Sequence, residues 1–447
     1  MFQDLVQGSA LASLDLDGKN LNYKIDSRLT GITSLFTGIN FLKTISGFFI
    51  GLILLNGCAK KLVPPTELVS PKAPMVRVAL EENLNKGTMA IQGQYRLKSE
   101  EADYILDDSL GPFQVTYDGS VLTFQSEKRF LTYKSFEQLE LIPEDNSHFL
   151  WNDIPYPGKI SFIKNNNTVM LVNTLTLTEY LSGVVPHEIP THNDEYYAAV
   201  AAQTIAARTY AFYQIKHPGS KFFDIYDDTR DQVYKGKVRE SDLAKKAIQD
   251  TYGMVLTDSE GKLVETQYHS TCGGILNESS SAAQTAEPTE DIWDNNFNCA
   301  TSPLYRWVNK ITAGEILQNL EKNKKISKAE YQKLVEEGYQ LEVDIKSRQL
   351  SGRIEKMEID VNQKKIGLNE WESRYMLASN DQNLLPSTLF FIKKSPSSPD
   401  LIYLIGAGYG HGKGMCQWGA IGQALNGRSY QDILKFYYPM LSLKKVY

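Results

Sequence analysis

The segment that decides the fold is residues 179–212, EYLSGVVPHEIPTHNDEYYAAVAAQTIAARTYAF. It places one carboxylate, Glu188, between a hydrophobic run and an alanine-rich run. Pro190 disfavours the helical conformation at the residue before it, so the backbone after Glu188 is expected to be irregular. From Glu195 to about Lys216 the chain has no Gly or Pro and carries apolar residues at three- and four-residue spacing. This pattern predicts an amphipathic helix.

Glu188 is the first candidate for chemistry. A carboxylate packed beside an apolar helix is partly desolvated, which raises its pKa and suits a general acid. The alternative is structural, because most Glu residues near helix starts only cap the helix or interact with its dipole.

Further motifs follow along the chain in a fixed order. They are FDIYDDTRDQVYKG at 223–236, YHSTCGG at 268–274, SGR at 351–353, LPSTLF at 385–390 and GYGHGKGMCQWGAIGQALNGRSYQDILKFYYP at 408–439. Together with the segment around Glu188 they resemble the stage II sporulation protein D (SpoIID/LytB) family of cell-wall proteins. The resemblance covers residues 175–439.

The resemblance implies a function. Glu188 occupies the GVVxxE position of the family's catalytic acid, and family members include lytic transglycosylases, which cleave peptidoglycan between N-acetylmuramic acid and N-acetylglucosamine. The expected product has a 1,6-anhydromuramoyl end, and the expected substrate is a glycan strand without stem peptides. One carboxylate suffices for this reaction, unlike the paired carboxylates of ordinary glycosidases.

Other residues in the motifs are candidates for substrate binding. Gln203 and Arg208 match the family's AQxxAARTYA pattern, but five helical positions separate them by roughly 140°, so both cannot face one groove. Arg208 can equally be buried in an ion pair. By the resemblance, the two glycine-rich loops line the groove beside Glu188, and the expected groove residues are His269, Ser270, His411 and Gln417.

Composition sets limits on the partners. The chain has 447 residues, 42% hydrophobic and 22% charged, with a net charge of −6. These values are ordinary for a folded protein, and the negative charge argues against nucleic-acid binding. The resemblance to the SpoIID/LytB family, not the composition, implies the expected partners, which are peptidoglycan glycan strands and an N-acetylmuramoyl-L-alanine amidase. The alternative function is that of a non-catalytic peptidoglycan-binding protein that modulates such an amidase.

The sequence of residues 1–58 is typical of a targeting segment. An apolar run, Ile45 to Leu55, is too short to span a bilayer and ends in Leu-Asn-Gly-Cys. This resembles a lipobox, so lipidation of Cys58 and an extracytoplasmic, membrane-anchored lipoprotein are expected. A single-pass anchor with an incidental Cys is the alternative. Residues 59–74 contain four prolines and are expected to form a tether.

The remaining chain predicts an α+β fold. Residues 75–157 show short alternating runs separated by turns, which predicts a small β-rich accessory region. Residues 158–447 are expected to form the catalytic domain, β-rich with a long central helix. A charged helical insertion at about 311–340 is expected on its surface.

Cysteines and possible metal ligands complete the expectations. Cys272 and Cys299 flank a polar loop and can form a disulfide outside the cytoplasm, whereas Cys416 is expected to pack as an apolar residue. A thiol nucleophile is the alternative for Cys272 or Cys416. Some members of the family that the chain resembles have Cys and His residues that can hold zinc in the loop at 223–234. This chain has Tyr226, Arg230 and Asp231 there instead, so no metal and no cofactor are expected. Calcium or a second catalytic carboxylate is the alternative for this Asp-rich loop. The spacing His187-Glu188-xxx-His192 does not match the HExxH of zinc proteases.

Overall fold

The computed structural model describes residues 72–99, 103–134, 136–277, 297–380, 382, 384–398 and 400–447. Residues 68–447 form one compact unit. The predictions for the targeting segment, Cys58 and all but the last residues of the tether fall outside the described residues. Among the described residues, no helix combines the length and the apolar character needed to cross a membrane.

A large, mostly antiparallel sheet forms the first half of the unit. Within the described residues it has eleven strands in the order β11-β1-β10-β9-β7-β2-β4-β5-β6, with β3 paired to β2 and β8 paired to β7. The strands are β1 (Met75–Glu81), β2 (Lys86–Lys98), β3 (Asp103–Asp107), β4 (Phe113–Tyr117), β5 (Leu122–Gln125), β6 (Phe130–Tyr133), β7 (Gln138–Trp151), β8 (Ile154–Tyr156), β9 (Lys159–Asn165), β10 (Thr168–Thr176) and β11 (Ile225–Tyr226).

This sheet crosses the expected boundary at residue 157. Strand β1 pairs with β10, and β7 pairs with β9. Side chains from both sides of that position, such as Phe124 and Leu181, belong to one hydrophobic core. Residues 75–157 are rich in strands, and they share their sheet and core with the region that carries Glu188. Antiparallel strands with one face on a core account for the alternating pattern in the sequence.

Three helices, α1 (Leu177–Glu188), α2 (Tyr197–Lys216) and α3 (Asp242–Asp250), follow the sheet. Helix α1 begins with a capping box between Thr176 and Glu179, which satisfies amide groups at its first turn. Helix α2 begins after a 3₁₀ turn, Asp194–Tyr196, that Asn193 caps. Every side chain from Ala199 to Ala211 is buried, so α2 is enclosed on all sides instead of on one face as the sequence predicted.

The last part of the chain returns to α2. Strands β12 (Met254–Thr257) and β13 (Tyr268–His269) pair with the late strands β21 (Ser442–Lys445) and β20 (Met415–Cys416), respectively. Helices α7 (Gln417–Leu425) and α8 (Tyr430–Tyr437) contact α2. These pairings bring residues from both ends of the unit together around α2.

Residues 306–407 contain a second hydrophobic core. Its sheets are β14-β19-β18 and β15-β16-β17. The elements are β14 (Arg306–Thr312), α4 (Ala313–Lys322), α5 (Lys328–Glu337), β15 (Leu341–Arg348), β16 (Ile354–Val361), β17 (Lys364–Asn369), α6 (Glu370–Met376), β18 (Phe390–Lys394) and β19 (Leu401–Ala407). Helices α4 and α5 match the expected helical region, whereas β17 and α6 were not predicted. The mixture of helices and sheets agrees with an α+β class.

Candidate active site

Glu188 is the last residue of α1, where the chain leaves the helix. Ile189 is the C-cap and has an extended backbone, as expected for a residue before proline. The carboxylate of Glu188 accepts two hydrogen bonds, one from the backbone N–H of Val233 at 2.9 Å and one from the side-chain amide of Gln417 at 3.3 Å. Glu188 is half-buried and keeps part of its surface accessible. It is therefore both held in place and open to a substrate.

The motif at 223–236 places the Val233 amide. Asp231 accepts hydrogen bonds from the Tyr210 hydroxyl at 2.5 Å and from the Tyr226 amide at 2.8 Å, which fixes this loop against α2. Gly183 allows the loop to approach α1, because a Cβ at that position would lie 2.5 Å from the Tyr234 ring. The GVVxxE pattern therefore begins with glycine because a side chain at position 183 would collide with the Tyr234 ring.

Burial controls the protonation of Glu188. It raises the pKa of the Glu188 carboxyl to about 7, and the hydrogen bonds from Val233 and Gln417 oppose this rise only in part. The neighbouring His187 carries no charge at neutral pH, because burial and the nearby cations of Arg239 and Lys235 lower its pKa to about 4. Near neutral pH, Glu188 is therefore present in both its protonated and its ionised form.

Three neutral polar side chains close to Glu188, those of Gln232, Tyr180 and Tyr268, form a hydrogen-bonded network. The Gln232 side chain accepts a hydrogen bond from the Tyr180 hydroxyl at 3.1 Å and donates one to the Tyr268 hydroxyl at 2.9 Å. Burial raises the pKa of both tyrosines, and the charge of Glu188 contributes to the shift. Both hydroxyls therefore stay protonated, and the network brings no cation that would lower the pKa of Glu188.

Of the expected groove residues, Gln417 contacts Glu188 directly. It is the first residue of α7 and follows the short parallel pairing of β13 with β20. His411 donates a hydrogen bond at 3.0 Å from its Nε2 atom to the carbonyl oxygen of Tyr268. Burial, with the neighbouring His269, lowers the pKa of His411 to about 3, so it is neutral. His411 and Ser270 are half-buried, whereas His269 and Gln417 are each only 4% exposed.

Arg208 and Gln203 lie inside the protein. Arg208 is 1% exposed, and its guanidinium donates to the Thr251 hydroxyl at 3.2 Å and to the carbonyl oxygens of Met254 at 3.1 Å and Ile248 at 3.3 Å. Gln203 has no exposed surface. Neither side chain reaches solvent, so the structure does not support the expected substrate contacts. Arg208 instead holds α2 to the segment after α3.

The Asp-rich loop is occupied by internal pairs. Asp224 pairs with Arg77 at 2.6 Å, Asp227 with Lys235 at 3.0 Å and Asp228 with Arg230 at 2.9 Å. Among the described residues, none of these carboxylates hydrogen-bonds to a group that contacts Glu188. The geometry therefore provides Glu188 as a single carboxylate.

A separate cleft of about 600 Å³ lies over β9 and β10. Its lining includes Arg77, Lys159, Lys164 and Lys221, but not Glu188. Asp224 and Glu140 pair with two of these cations. The cleft is thus distinct from the site built around Glu188.

Three buried cysteines lie close to the site. The sulfur atoms of Cys272 and Cys299 are 3.5 Å apart and are not bonded to each other, and Cys416 is also free. The structure thus places Cys272 and Cys299 next to each other, and the disulfide between them remains a prediction.

Sequence reasoning did not identify Val233, Tyr268, Gln232 or Tyr180 as members of the site. All four lie in motifs that were recognised, at 179–212, 223–236 and 268–274. Those motifs drew attention to charged side chains and histidines. A backbone amide such as that of Val233 leaves no signal in residue identity, so only the folded chain shows its role.

Comparison with known proteins matches two families. Residues 165–257 match the SpoIID family, described as stage II sporulation protein, and residues 252–414 match a domain of unknown function, DUF8618. The chain is 32% identical over 300 residues to an uncharacterised protein of Brachyspira hyodysenteriae, covering 67% of this chain and 74% of that protein.

Two relatives from Bacillus subtilis have informative names. The stage II sporulation protein D is 29% identical, covering 60% of this chain and 74% of that protein. The amidase enhancer is also 29% identical, and this chain spans 40% of its length. Residues 165–257, which match the SpoIID family, contain both Glu188 and Val233. The chain belongs to the SpoIID family.

Proposed function

We propose that this protein is a lytic transglycosylase that cleaves the bond between N-acetylmuramic acid and N-acetylglucosamine in peptidoglycan. One observation carries the proposal: Glu188 is a half-buried carboxylate, held by hydrogen bonds from Val233 and Gln417, and burial raises its pKa to about 7. A group that must give up a proton and then accept one works best with a pKa near the working pH.

The first step requires Glu188 in its protonated form. Its proton goes to the glycosidic oxygen while the bond from the muramoyl anomeric carbon to that oxygen breaks. The leaving sugar departs with a neutral hydroxyl, and Glu188 becomes a carboxylate. The Val233 amide and the Gln417 amide then stabilise this anion through hydrogen bonds.

The second step uses the same carboxylate as a base. The C6 hydroxyl of the muramoyl unit attacks the anomeric carbon of its own ring, and Glu188 takes the hydroxyl proton. A bond from the anomeric carbon to O6 replaces the bond that broke, and Glu188 returns to its protonated form. No water is consumed, so no second carboxylate is needed to activate it.

Gln417 suits both protonation states. An amide side chain offers an NH₂ donor on one side and a carbonyl acceptor on the other. The NH₂ group can donate to the ionised Glu188, and after rotation the carbonyl oxygen can accept from the protonated form. The contact is 3.3 Å long, so exchange between the two arrangements requires little other movement.

A second function is supported by one relative, the amidase enhancer of Bacillus subtilis, which is 29% identical over 304 residues. On this hypothesis the protein binds glycan strands without cleaving them and modulates an N-acetylmuramoyl-L-alanine amidase.

The proposal of a lytic transglycosylase has two further parts. The enzyme prefers glycan strands without stem peptides. It lies outside the cytoplasm and is held to the membrane by a lipid anchor at Cys58.

The product distinguishes these functions. Purified glycan strands, with and without stem peptides, are incubated with the protein in water enriched in ¹⁸O and analysed by mass spectrometry. The expected result is 1,6-anhydromuramoyl ends without ¹⁸O, formed faster from the strands without stem peptides. Reducing ends carrying ¹⁸O would indicate a hydrolase instead, and unchanged strands would favour the binding protein.

A further inference from the structure

The three buried cysteines and a buried histidine converge on one point. The ligand atoms of His269, Cys272 and Cys416 all lie within 4.8 Å of one another. The sulfur of Cys299 lies 3.5 Å from that of Cys272. These residues come from separate segments, which the pairing of His269 with Cys416 in strands β13 and β20 brings together.

We propose that His269, Cys272, Cys299 and Cys416 bind one zinc ion in a closed site with three sulfur ligands and one nitrogen ligand. Structural zinc sites commonly use four such ligands in a tetrahedron, with zinc–sulfur bonds of about 2.3 Å. Two sulfurs of such a tetrahedron are about 3.8 Å apart, against about 2.0 Å in a disulfide. The observed 3.5 Å is close to the first value.

His269 is prepared to be a ligand. Its Nδ1 atom lies 2.9 Å from the carbonyl oxygen of Lys413, so this nitrogen carries the ring proton. Its Nε2 atom is buried and has no hydrogen-bond partner among the described residues. A backbone carbonyl bound to one ring nitrogen is the usual arrangement that leaves the other nitrogen free for a metal.

Backbone amides point at two of the sulfurs. The Cys416 sulfur accepts from the amides of Cys272 and Gly419, each at 3.2 Å. The Cys272 sulfur accepts from the Gly274 amide at 3.4 Å. Cys416 is also the N-cap of α7, where the helix dipole favours negative charge. Such amide donors would stabilise the sulfur ligands once a metal has displaced their protons, because cysteine binds metals as the thiolate.

A buried cation balances the charge of the site. Arg353 has no exposed surface, and its guanidinium donates to the carbonyl oxygens of Cys272 and Ile275, each at 2.9 Å. In the described part of the chain, Arg353 forms no salt bridge with a carboxylate. Three thiolates with one zinc ion carry a net charge of −1, which compensates this guanidinium. Gly412 leaves room for it, since a Cβ there would lie 2.4 Å from the Arg353 Cζ atom.

The zinc site replaces two expectations from the sequence, the disulfide between Cys272 and Cys299 and the absence of a metal. A disulfide would use two sulfurs and leave the His269 Nε2 atom without a partner. The expectation of no metal rested on the loop at 223–234, which is not part of this cluster. A metal here would fix Cys416, directly before Gln417, and so hold Gln417 beside Glu188. The proposal stands whether or not the protein cleaves glycan strands.

The test uses the full chain, purified without added metal and without reductant. Elemental analysis is expected to find one zinc ion per chain, and X-ray absorption at the zinc edge to find three sulfurs and one nitrogen. Peptide mapping after alkylation in denaturant with a chelator should recover Cys272, Cys299 and Cys416 as free thiols. Absence of zinc, with Cys272 disulfide-bonded to Cys299 or with three metal-free thiols, would overturn the proposal. So would a zinc ion bound by oxygen ligands.

Variants provide a second test. His269→Ala is expected to weaken zinc binding by about 100-fold or more in competition with a chelator, whereas His269→Cys retains one zinc ion with four sulfur ligands. The matched control is His411→Gln, because the His411 ring lies 5.5 Å from that of His269 and is not a proposed ligand. Loss of zinc in His411→Gln with full binding in His269→Ala would contradict the assignment.

Discussion

Gln417 donates a hydrogen bond to Glu188 at 3.3 Å, although the two residues are 229 positions apart in the chain. Glu188 ends helix α1, and Gln417 begins helix α7. Two helix ends thus meet at the carboxylate, and the third contact is the Val233 amide. Each of these contacts opposes the effect of burial on the pKa of Glu188, and the balance between them leads to the predictions that follow.

The first prediction concerns Gln417→Leu. Removing the amide removes one hydrogen bond that lowers the pKa of Glu188, so this pKa should rise above about 7. The alkaline limb of the rate profile for strand cleavage should therefore move to higher pH, with a lower maximal rate. The control is Gln423→Leu, the same change in the same helix without a hydrogen bond to Glu188. An alkaline limb at the same pH in Gln417→Leu and the wild type would contradict the role of this contact.

The second prediction concerns stability against pH. The folded-state pKa of Glu188, about 7, lies above its ordinary value of 4.5. The folded protein therefore binds this proton more tightly than the unfolded chain, and stability is lost as pH rises from 4.5 to 7. Glu188→Gln resembles the protonated form, so it should be more stable than the wild type at pH 8 by roughly 1–3 kcal/mol.

Urea unfolding at pH 4.5 and pH 8 measures this difference. At pH 4.5 the two proteins should have similar free energies of unfolding, because Glu188 is then protonated in the folded wild type and about half protonated in the unfolded chain. A variant less stable than the wild type at pH 8 would show that Glu188 forms stabilising contacts as an anion, contrary to the direction of its pKa shift.

The third prediction concerns Arg208. Because its guanidinium bonds to three buried acceptors, Arg208→Met should lower the free energy of unfolding by roughly 2–4 kcal/mol. At a temperature where the variant is folded, KM for glycan strands should match that of the wild type. A raised KM with unchanged stability would instead indicate that Arg208 binds the substrate, as the sequence led us to expect.

The fourth prediction concerns Cys58. If it is lipidated, Cys58→Ala should release the protein from the membrane fraction or leave the targeting segment uncut. Fractionation and mass spectrometry of the N-terminus distinguish these results. If both the processing and the membrane attachment of Cys58→Ala are unchanged, Cys58 is not lipidated.

The sequence was sufficient to predict those features that depend on residues close together in the chain, such as the ends of a helix and short motifs. Helix α2 ends at Lys216 as expected and begins within two residues of the expected start, because its boundaries rest on prolines, glycines and caps. The motifs placed Glu188 and Gln417 in one site, and the structure brings those two residues into contact. The family resemblance was confirmed by comparison with known proteins.

Other features depend on tertiary structure and could not be predicted. Arg208 carries a charge, and only the enclosure of α2 on all sides shows that it is buried. The sheet that joins residues on both sides of position 157 depends on pairing between distant strands. The grouping of His269 with three cysteines depends on the pairing of β13 with β20, which leaves no regular spacing in the sequence.

The most direct test of the central claim is the rate at which Glu188→Gln forms 1,6-anhydromuramoyl ends from strands without stem peptides. General acid–base catalysis typically contributes about 10²–10⁴ in rate, and here one group serves both steps. The rate should therefore fall by roughly 10⁴ or more, while binding to the strands persists. Asp228→Asn is the control, because Asp228 pairs with Arg230 on the surface, and its rate should stay close to that of the wild type. Near wild-type cleavage by Glu188→Gln would contradict the account.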